Sequence, residues 1–186
     1  MIYYISTVEN NINSLTVEDE NGNSFLLCEE ETPFPYSTVR IGNQTWTSEN
    51  IIFDDGGDDI YKRTNYTIQG INFGTVCWYK PSALARIEQL YYDYRIPTID
   101  DIEELKSFVN NNCEGLRSTD GWYGTPGTNE LGFDGKPFGY TNKIVYIDDV
   151  CCFYANNKIV NLNTNNTITY SNIDNSYFYN VRLIKR

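Results

Sequence analysis

The densest group of side chains able to do chemistry is DDGGDD at residues 54–59, where Asp54, Asp55, Asp58 and Asp59 surround two flexible glycines. Carboxylate oxygens crowded on a turn are the ligands that calcium takes. The spacing is not the alternating pattern of an EF-hand loop, so a solvated acidic turn is expected and calcium binding by it stays open. Two adjacent carboxylate pairs, Asp100-Asp101 and Asp148-Asp149, are the nearest candidates for paired acid–base hydrolysis. Neighbours in a strand point to opposite faces, which separates the second pair, and helix capping accounts for the first. The five cysteines, Cys28, Cys77, Cys113, Cys151 and Cys152, include no CxxC spacing, and the chain has no histidine. A cysteine nucleophile would lack its usual imidazole base and a structural zinc its ligand set. Buried, reduced thiols are the expectation, with no catalytic residue, no metal and no cofactor.

Recognition is the chemistry that remains. The chain holds 16 Tyr and 9 Phe, and Tyr and Trp give rigid, amphipathic contact area to binding surfaces. Trp78, Tyr79, Tyr91, Tyr92, Tyr94, Trp122, Tyr123 and Tyr140 are the candidates, whereas Trp46, Trp122 and Phe133 read more readily as core. Tyr123 leads into Gly124, Thr125 and Pro126, a loop composition that favours exposure. The candidate ligand-binding patch is therefore Tyr123 together with the asparagine-rich turns, namely Asn156, Asn157, Asn163, Asn165 and Asn166.

Charge narrows the partners. The net charge is −11, and residues 1–60 carry all of it, with twelve acidic residues against the single base Arg40. A front end of that kind repels polyphosphate, so no nucleic-acid partner is expected. No stretch approaches the roughly 18 apolar residues of a membrane span, so no membrane insertion is expected either. Residues 1–14 show neither a basic n-region nor an apolar h-region. A secretory signal is not expected there, and Met1 favours a protein used without the secretory route.

The elements that must position these residues are legible in outline. Residues 2–8 and 24–28 read as strands, with a turn at Asn21-Gly22 between the latter and Leu15-Thr16-Val17. The acidic stretch 29–35 carries two prolines and reads as a connection, leaving residues 1–37 as an acidic N-terminal appendage and 38–186 as the main domain. Pro81 followed by Leu84, Ile87 and Tyr91 at helical spacing predicts a helix over 81–91. A second helix begins at Thr98, which stands three residues before Asp101 in a capping box, and Ile102, Leu105, Phe108 and Val109 form its apolar stripe. Asn110, Asn111, Asn112 and Gly115 end it. Residues 144–186 alternate as strands, so the expected class is α+β, two helices against an antiparallel sheet drawn mostly from the C-terminal third.

Five segments, in order, resemble the Fibrobacter succinogenes major paralogous domain family. TVRIGNQTWTSENI (38–51) is similar to its opening IGNQ-W-x-x-EN-L, and YRIPTIDDIEELKSFV (94–109) to its W-R-L-P-T-x-x-E-W-x-x-L. GLRSTDGW (115–122), GTNELGFDGKPFGY (127–140) and YNVRLIKR (179–186) resemble its K-S-T-x-G-W, G-T-x-x-x-G-F-x-x-x-P-x-G-Y and closing S-V-R-C-V-K segments. The resemblance implies a C-type-lectin-like fold, related to formylglycine-generating enzymes and phage tropism determinants, with two helices flanking a small twisted sheet whose first and last strands pair. Two places where the family often carries cysteines read YYDYRIPT and VRLIKR here, and KIVYIDDVCCFYANN (143–157) stands where the family has W-W-S-S-T. The E-P-N and W-N-D motifs of calcium-dependent sugar binding are absent, so that route to carbohydrate is not expected.

Composition rich in Asn and Tyr and free of His is the kind that AT-rich genomes encode. Joined to the acidic appendage, it leads us to expect a non-enzymatic bacteriophage virion structural protein on the tail or capsid surface. Residues 1–37 would attach it to other virion proteins, and the lectin-like domain would bind a host surface glycan or protein. A homo-oligomer is expected, because weak single-site binding gains from multivalency. The alternatives are a bacterial cell-surface or secreted binding module and a purely architectural assembly subunit.

Overall fold

A computed structural model describes residues 4–5, 14–18, 21–22, 24–29, 34–144, 146–147 and 149–186. The chain forms two compact units, Met1–Pro35 and Tyr36–Arg186, divided at the end of the acidic, proline-bearing connection. In the first, strands β1 (Tyr4–Ile5), β2 (Ser14–Glu18) and β3 (Ser24–Glu29) form an antiparallel meander. Glu18 stands opposite Ser24 across the Asn21-Gly22 turn, where Gly22 has φ 80°. The remainder of the strand expected over 2–8 lies outside the described residues, as does Asp148.

The second unit is α+β, and its strands are short and spread along the chain. One sheet, ordered β10-β17-β5-β4, joins β4 (Thr38–Ile41), β5 (Gln44–Thr47), β10 (Tyr94–Arg95) and β17 (Ile184–Lys185). A second, ordered β12-β11-β16-β9-β6, joins β6 (Ile60–Arg63), β9 (Val76–Tyr79), β11 (Tyr140–Thr141), β12 (Tyr146–Ile147) and β16 (Phe178–Tyr179). A meander of β13 (Cys151–Ala155), β14 (Lys158–Leu162) and β15 (Ile168–Asn172), and a hairpin of β7 (Thr67–Ile68) with β8 (Ile71–Asn72), complete the described strands. The expectation of one sheet from the C-terminal third is corrected to several small sheets built from the whole unit. Turn-forming asparagines and glycines at positive φ, Asn65, Gly70 and Asn156 among them, cut the strands to two to five residues.

Local sequence explains the hairpins and helices. Ile41 pairs with Gln44 across a two-residue turn, and Gly42 at φ 59° occupies the first turn position, where a hairpin of this length favours glycine. A short 3-10 turn, Pro81–Ala83, runs into helix α1 (Leu84–Leu90), and Ala83 and Ile87 are its buried contacts. Helix α2 (Ile99–Phe108) starts on a complete capping box: the Thr98 Oγ1 accepts from the Asp101 amide and the Asp101 carboxylate accepts from the Thr98 amide. Arg95 closes on the same carboxylate, its Nη2 lying 2.8 Å from Oδ1, so the YRIPTIDD segment is a self-contained helix start. The apolar stripe of α2 is narrower than expected. Ile102 and Leu105 are buried, but Phe108 is 54% exposed, because it sits at the helix end and lies against Gly42 of the β4–β5 turn instead of the core.

Two apolar clusters hold the unit together. Trp46 meets Phe133 and Phe153 edge-on at 5.7 and 6.4 Å, backed by Ile102, Leu105, Val160 and Leu162. Trp78 centres the second, with Tyr66, Ile68, Val76, Phe138 and Phe178. Strand β13 and the Asn180 segment bridged to it tie them: the Tyr154 hydroxyl donates to the Tyr79 carbonyl at 2.9 Å and the Asn180 side chain to the Cys77 carbonyl at 3.0 Å. Strand β17 lies between β5 and β10, with Ile184 paired to both Trp46 and Arg95. Among the described residues no helix is long and apolar enough to cross a membrane.

Candidate functional site

The expected binding patch divides in the structure. Tyr123 is 62% exposed, and its amide donates to the Asp149 carboxylate at 2.9 Å. Gly124 beside it faces Thr164, so the loop lies against the turn between β14 and β15. Asn163, Asn165 and Asn166 therefore share a neighbourhood with Tyr123. Asn156 and Asn157 do not: they form the turn at the other end of β14, a strand length of about 15 Å away, where the Asn156 amide donates to the Pro97 carbonyl.

The asparagines near Tyr123 brace the turn. Asn163 Nδ2 donates to the Thr167 carbonyl and the Thr169 hydroxyl, at 3.0 and 2.9 Å, and Asn165 Oδ1 accepts from the Thr167 hydroxyl at 2.6 Å. Asn166 Oδ1 accepts from Arg117. Fully buried Arg117 also donates to the Thr125 carbonyl at 2.7 Å and lies 4.8 Å from the Trp122 ring centre. Trp122 is buried and donates to Ser118 Oγ at 3.0 Å. The loop 118–127 thus has a rigid, polar-clamped base and one exposed aromatic. Of the other recognition candidates, Trp78, Tyr79 and Tyr94 are buried, Tyr91 and Tyr140 are half-buried, and Tyr92 is exposed. Trp78 and Tyr79 are neighbours in β9, where all four residues are buried.

The acidic loop is exposed at Asp54, Asp55 and Asp58, and three of its four carboxylates are paired. Arg86 of α1 reaches across to it, with Nε 2.6 Å from Asp55 and Nη2 2.7 Å from Asp59, while Ser82 donates to Asp59 at 2.6 Å and Lys62 pairs with Asp54 at 3.3 Å. The turn is solvated as expected, and it is also charge-paired. The Arg86 hydrogen bonds hold the Asp59 carboxyl down at about 2 and that of Asp55 below its ordinary value. A carboxyl whose folded value is depressed stabilises the fold above its unfolded value and loses that contribution as pH falls toward the folded one. The stability difference between the wild type and Arg86→Met, read from urea midpoints, is expected to be constant above about pH 4 and to shrink toward about pH 2. A difference that stays constant across that range would show that the pairs contribute nothing. Among the described residues no three His, Cys, Asp or Glu side chains are grouped to hold a metal ion.

Four cysteines are free and buried. Burial pushes the Cys77 thiol up to about 11 and Cys151 to about 12, and raises Cys113 and Cys152 as well. Such thiols stay protonated and are poor nucleophiles. The side chain of Cys28 lies outside the described residues.

A second feature escaped the sequence reading. Between the β5 end, the 134–138 segment and β9 lies a cleft of about 120 Å³. Its polar wall is Glu49, Asn50, Asp134, Lys136 and Arg182, and its apolar wall includes Ile51, Phe73, Val76 and Phe138. Arg182 is fully buried with no carboxylate in contact: it donates to Asn50 Oδ1 at 2.8 Å, to the carbonyls of Thr47 and Asp134 at 3.0 Å each, and to that of Phe133. Its guanidinium lies 4.3 Å from the Phe133 ring centre, and burial lowers its pKa. Because arginine only donates, the oxygen of Asn50 must face it, which leaves Nδ2 on the other side.

No family model, curated protein or solved structure matches the chain. Three of the segments that resemble a known family, residues 38–51, 127–140 and 179–186, meet at this cleft through Asn50, Asp134 with Lys136, and Arg182. A signal was present for one of them: Arg182 stands between Val181 and Leu183, a charge inside an apolar run, a placement that in a folded core demands a partner.

Proposed function

We propose that the chain is a non-enzymatic display protein of a bacteriophage particle, whose residues 38–186 form a C-type-lectin-like domain that attaches to a host surface glycan or protein. Residues 1–37 join it to other virion proteins, on the tail or capsid surface, in a homo-oligomer. The loop at 118–127 carries this reading. Its base is fixed by Arg117, Ser118 and Trp122, and it presents Tyr123 outward. A rigid aromatic on a pinned loop loses little entropy on contact, which suits a recognition surface. Supporting it, the side chains with catalytic potential are taken up structurally: Asp55 and Asp59 by Arg86, Asp101 by the α2 cap, and the described thiols by burial. The resemblance implies pairing of the domain's first and last strands; β17 pairs with β5, the second strand of the hairpin that opens the domain.

The test is binding of the full chain to bacterial cells and to an array of bacterial surface glycans, with Tyr123→Ala beside the wild type. Tyr123 is exposed, so its removal is expected to leave stability within about 0.5 kcal/mol while binding falls about tenfold or more, as loss of an aromatic anchor does. Equal binding by the two proteins would overturn the reading.

A further inference from the structure

We infer that the cleft bounded by Asn50, Arg182 and Phe73 is a binding site for one neutral, hydroxyl-bearing ring, such as a single hexose unit. The inference goes beyond the display reading and does not use the Tyr123 loop. Three properties of the cleft select this chemistry. The first is an unmet donor. Asn50 is 8% exposed, its oxygen is committed to Arg182, and its Nδ2 has no hydrogen-bond partner within the protein. A buried amide donor left unmatched costs free energy, so the site favours a ligand with an acceptor oxygen at that point.

Charge is the second property. Arg182 and Lys136 stand against Glu49 and Asp134 on the same wall, and Lys136 is paired with Asp134 at 3.0 Å. The wall is balanced, so neither an anion nor a cation is drawn in for its charge. A hydroxyl group suits such a wall, because it accepts from Asn50 and donates to a carboxylate at once. Size and apolar content are the third. About 120 Å³ is too small for ligands that fill ordinary pockets of 300 Å³ or more, and lies below the roughly 150 Å³ that admits a bare benzene ring, so a sugar ring enters by one edge with the rest at the open mouth. Phe138 and Val76 are buried in the floor, half-buried Phe73 forms a side, and Ile52, 42% exposed, stands at the mouth. Carbon-bound hydrogens of a sugar ring lie against such surfaces while its hydroxyls turn to the polar wall.

The test uses the full chain and saturation-transfer NMR with a defined panel: glucose, galactose, mannose and N-acetylglucosamine, each with its methyl α- and β-glycosides, and glucuronate as the anionic comparison. At least one neutral member is expected to bind and glucuronate to bind no better. Asn50→Asp keeps the oxygen that Arg182 needs and removes the Nδ2 donor, so it is expected to fold and to weaken binding about tenfold or more. Ile52→Trp, which fills the mouth from an exposed position, is expected to block binding without touching the polar wall. Binding of free hexoses alone marks a free sugar as the ligand, and binding of the methyl glycosides marks the end of a glycan. The inference is overturned if no neutral sugar binds, if glucuronate binds best, or if the signal survives both Asn50→Asp and Ile52→Trp.

Discussion

Arg182→Ala is expected to lower the unfolding free energy by about 4 kcal/mol or more, and the thermal midpoint by about 10 °C. This side chain donates four hydrogen bonds, to Asn50 Oδ1 and to the carbonyls of Thr47, Phe133 and Asp134. Truncation leaves all four acceptors without it, and an unmatched buried acceptor costs about 1–3 kcal/mol. It also removes the group stacked on Phe133, itself in contact with Trp46. Arg182→Lys keeps the charge but not the planar fork, so its loss should be intermediate. Chemical denaturation of the three proteins under one condition decides the matter. A loss below about 1 kcal/mol for alanine would mean that water replaces the guanidinium at little cost.

Gly127→Ala is the second large effect expected, a loss of about 3 kcal/mol. A Cβ there would lie 2.2 Å from the Arg117 carbonyl oxygen and 2.5 Å from its carbon, both backbone atoms of a buried segment. No rotation relieves that approach, so the strand of chain carrying Arg117 must move. Arg117 would then lose its grip on Thr125 and Asn166, and binding through Tyr123 should fall together with stability. Gly124→Ala is the control from the same loop. Its added carbon would make an ordinary contact of 3.6 Å with Thr164, so the stability change should stay within about 0.5 kcal/mol. Calorimetry on the two variants, with binding assayed alongside, tests the clamp; equal tolerance of both would rule it out.

The features legible in the sequence are those decided by neighbours in the chain. The α2 start is complete within Arg95–Asp101, and the capping box forms as the Thr98 to Asp101 spacing implies. Trp46, Trp122 and Phe133 were expected inside and are buried, while Tyr123, followed by Gly and Pro, was expected outside and is exposed. Asparagine-rich segments were read as turns and are turns. Their position relative to one another was not legible, because two turns at opposite ends of β14 look alike in composition. Arg86 against Asp55 and Asp59, and Arg182 against Asn50, are pairings across 27 to 132 residues. No local period marks which distant charge such a residue will meet. Phe108 shows the converse: helical spacing placed it on the apolar stripe, yet helix α2 ends there and the ring turns to Gly42.

The placing of β17 between β5 and β10 also sets a timetable. The Leu183 amide meets the Thr47 hydroxyl across 136 residues of chain, and Ile184 bridges Trp46 and Arg95. A ribosome that has released only the first hairpin, α1 and α2 has delivered none of the strand that joins them. Closing so long a loop is slow, and the edges of β5 and β10 stay open to wrong pairing until it closes. A newly made chain therefore depends on β17, which follows Leu183 136 residues beyond Thr47, before this sheet is whole, and the nascent protein has most to gain from a chaperone in that interval.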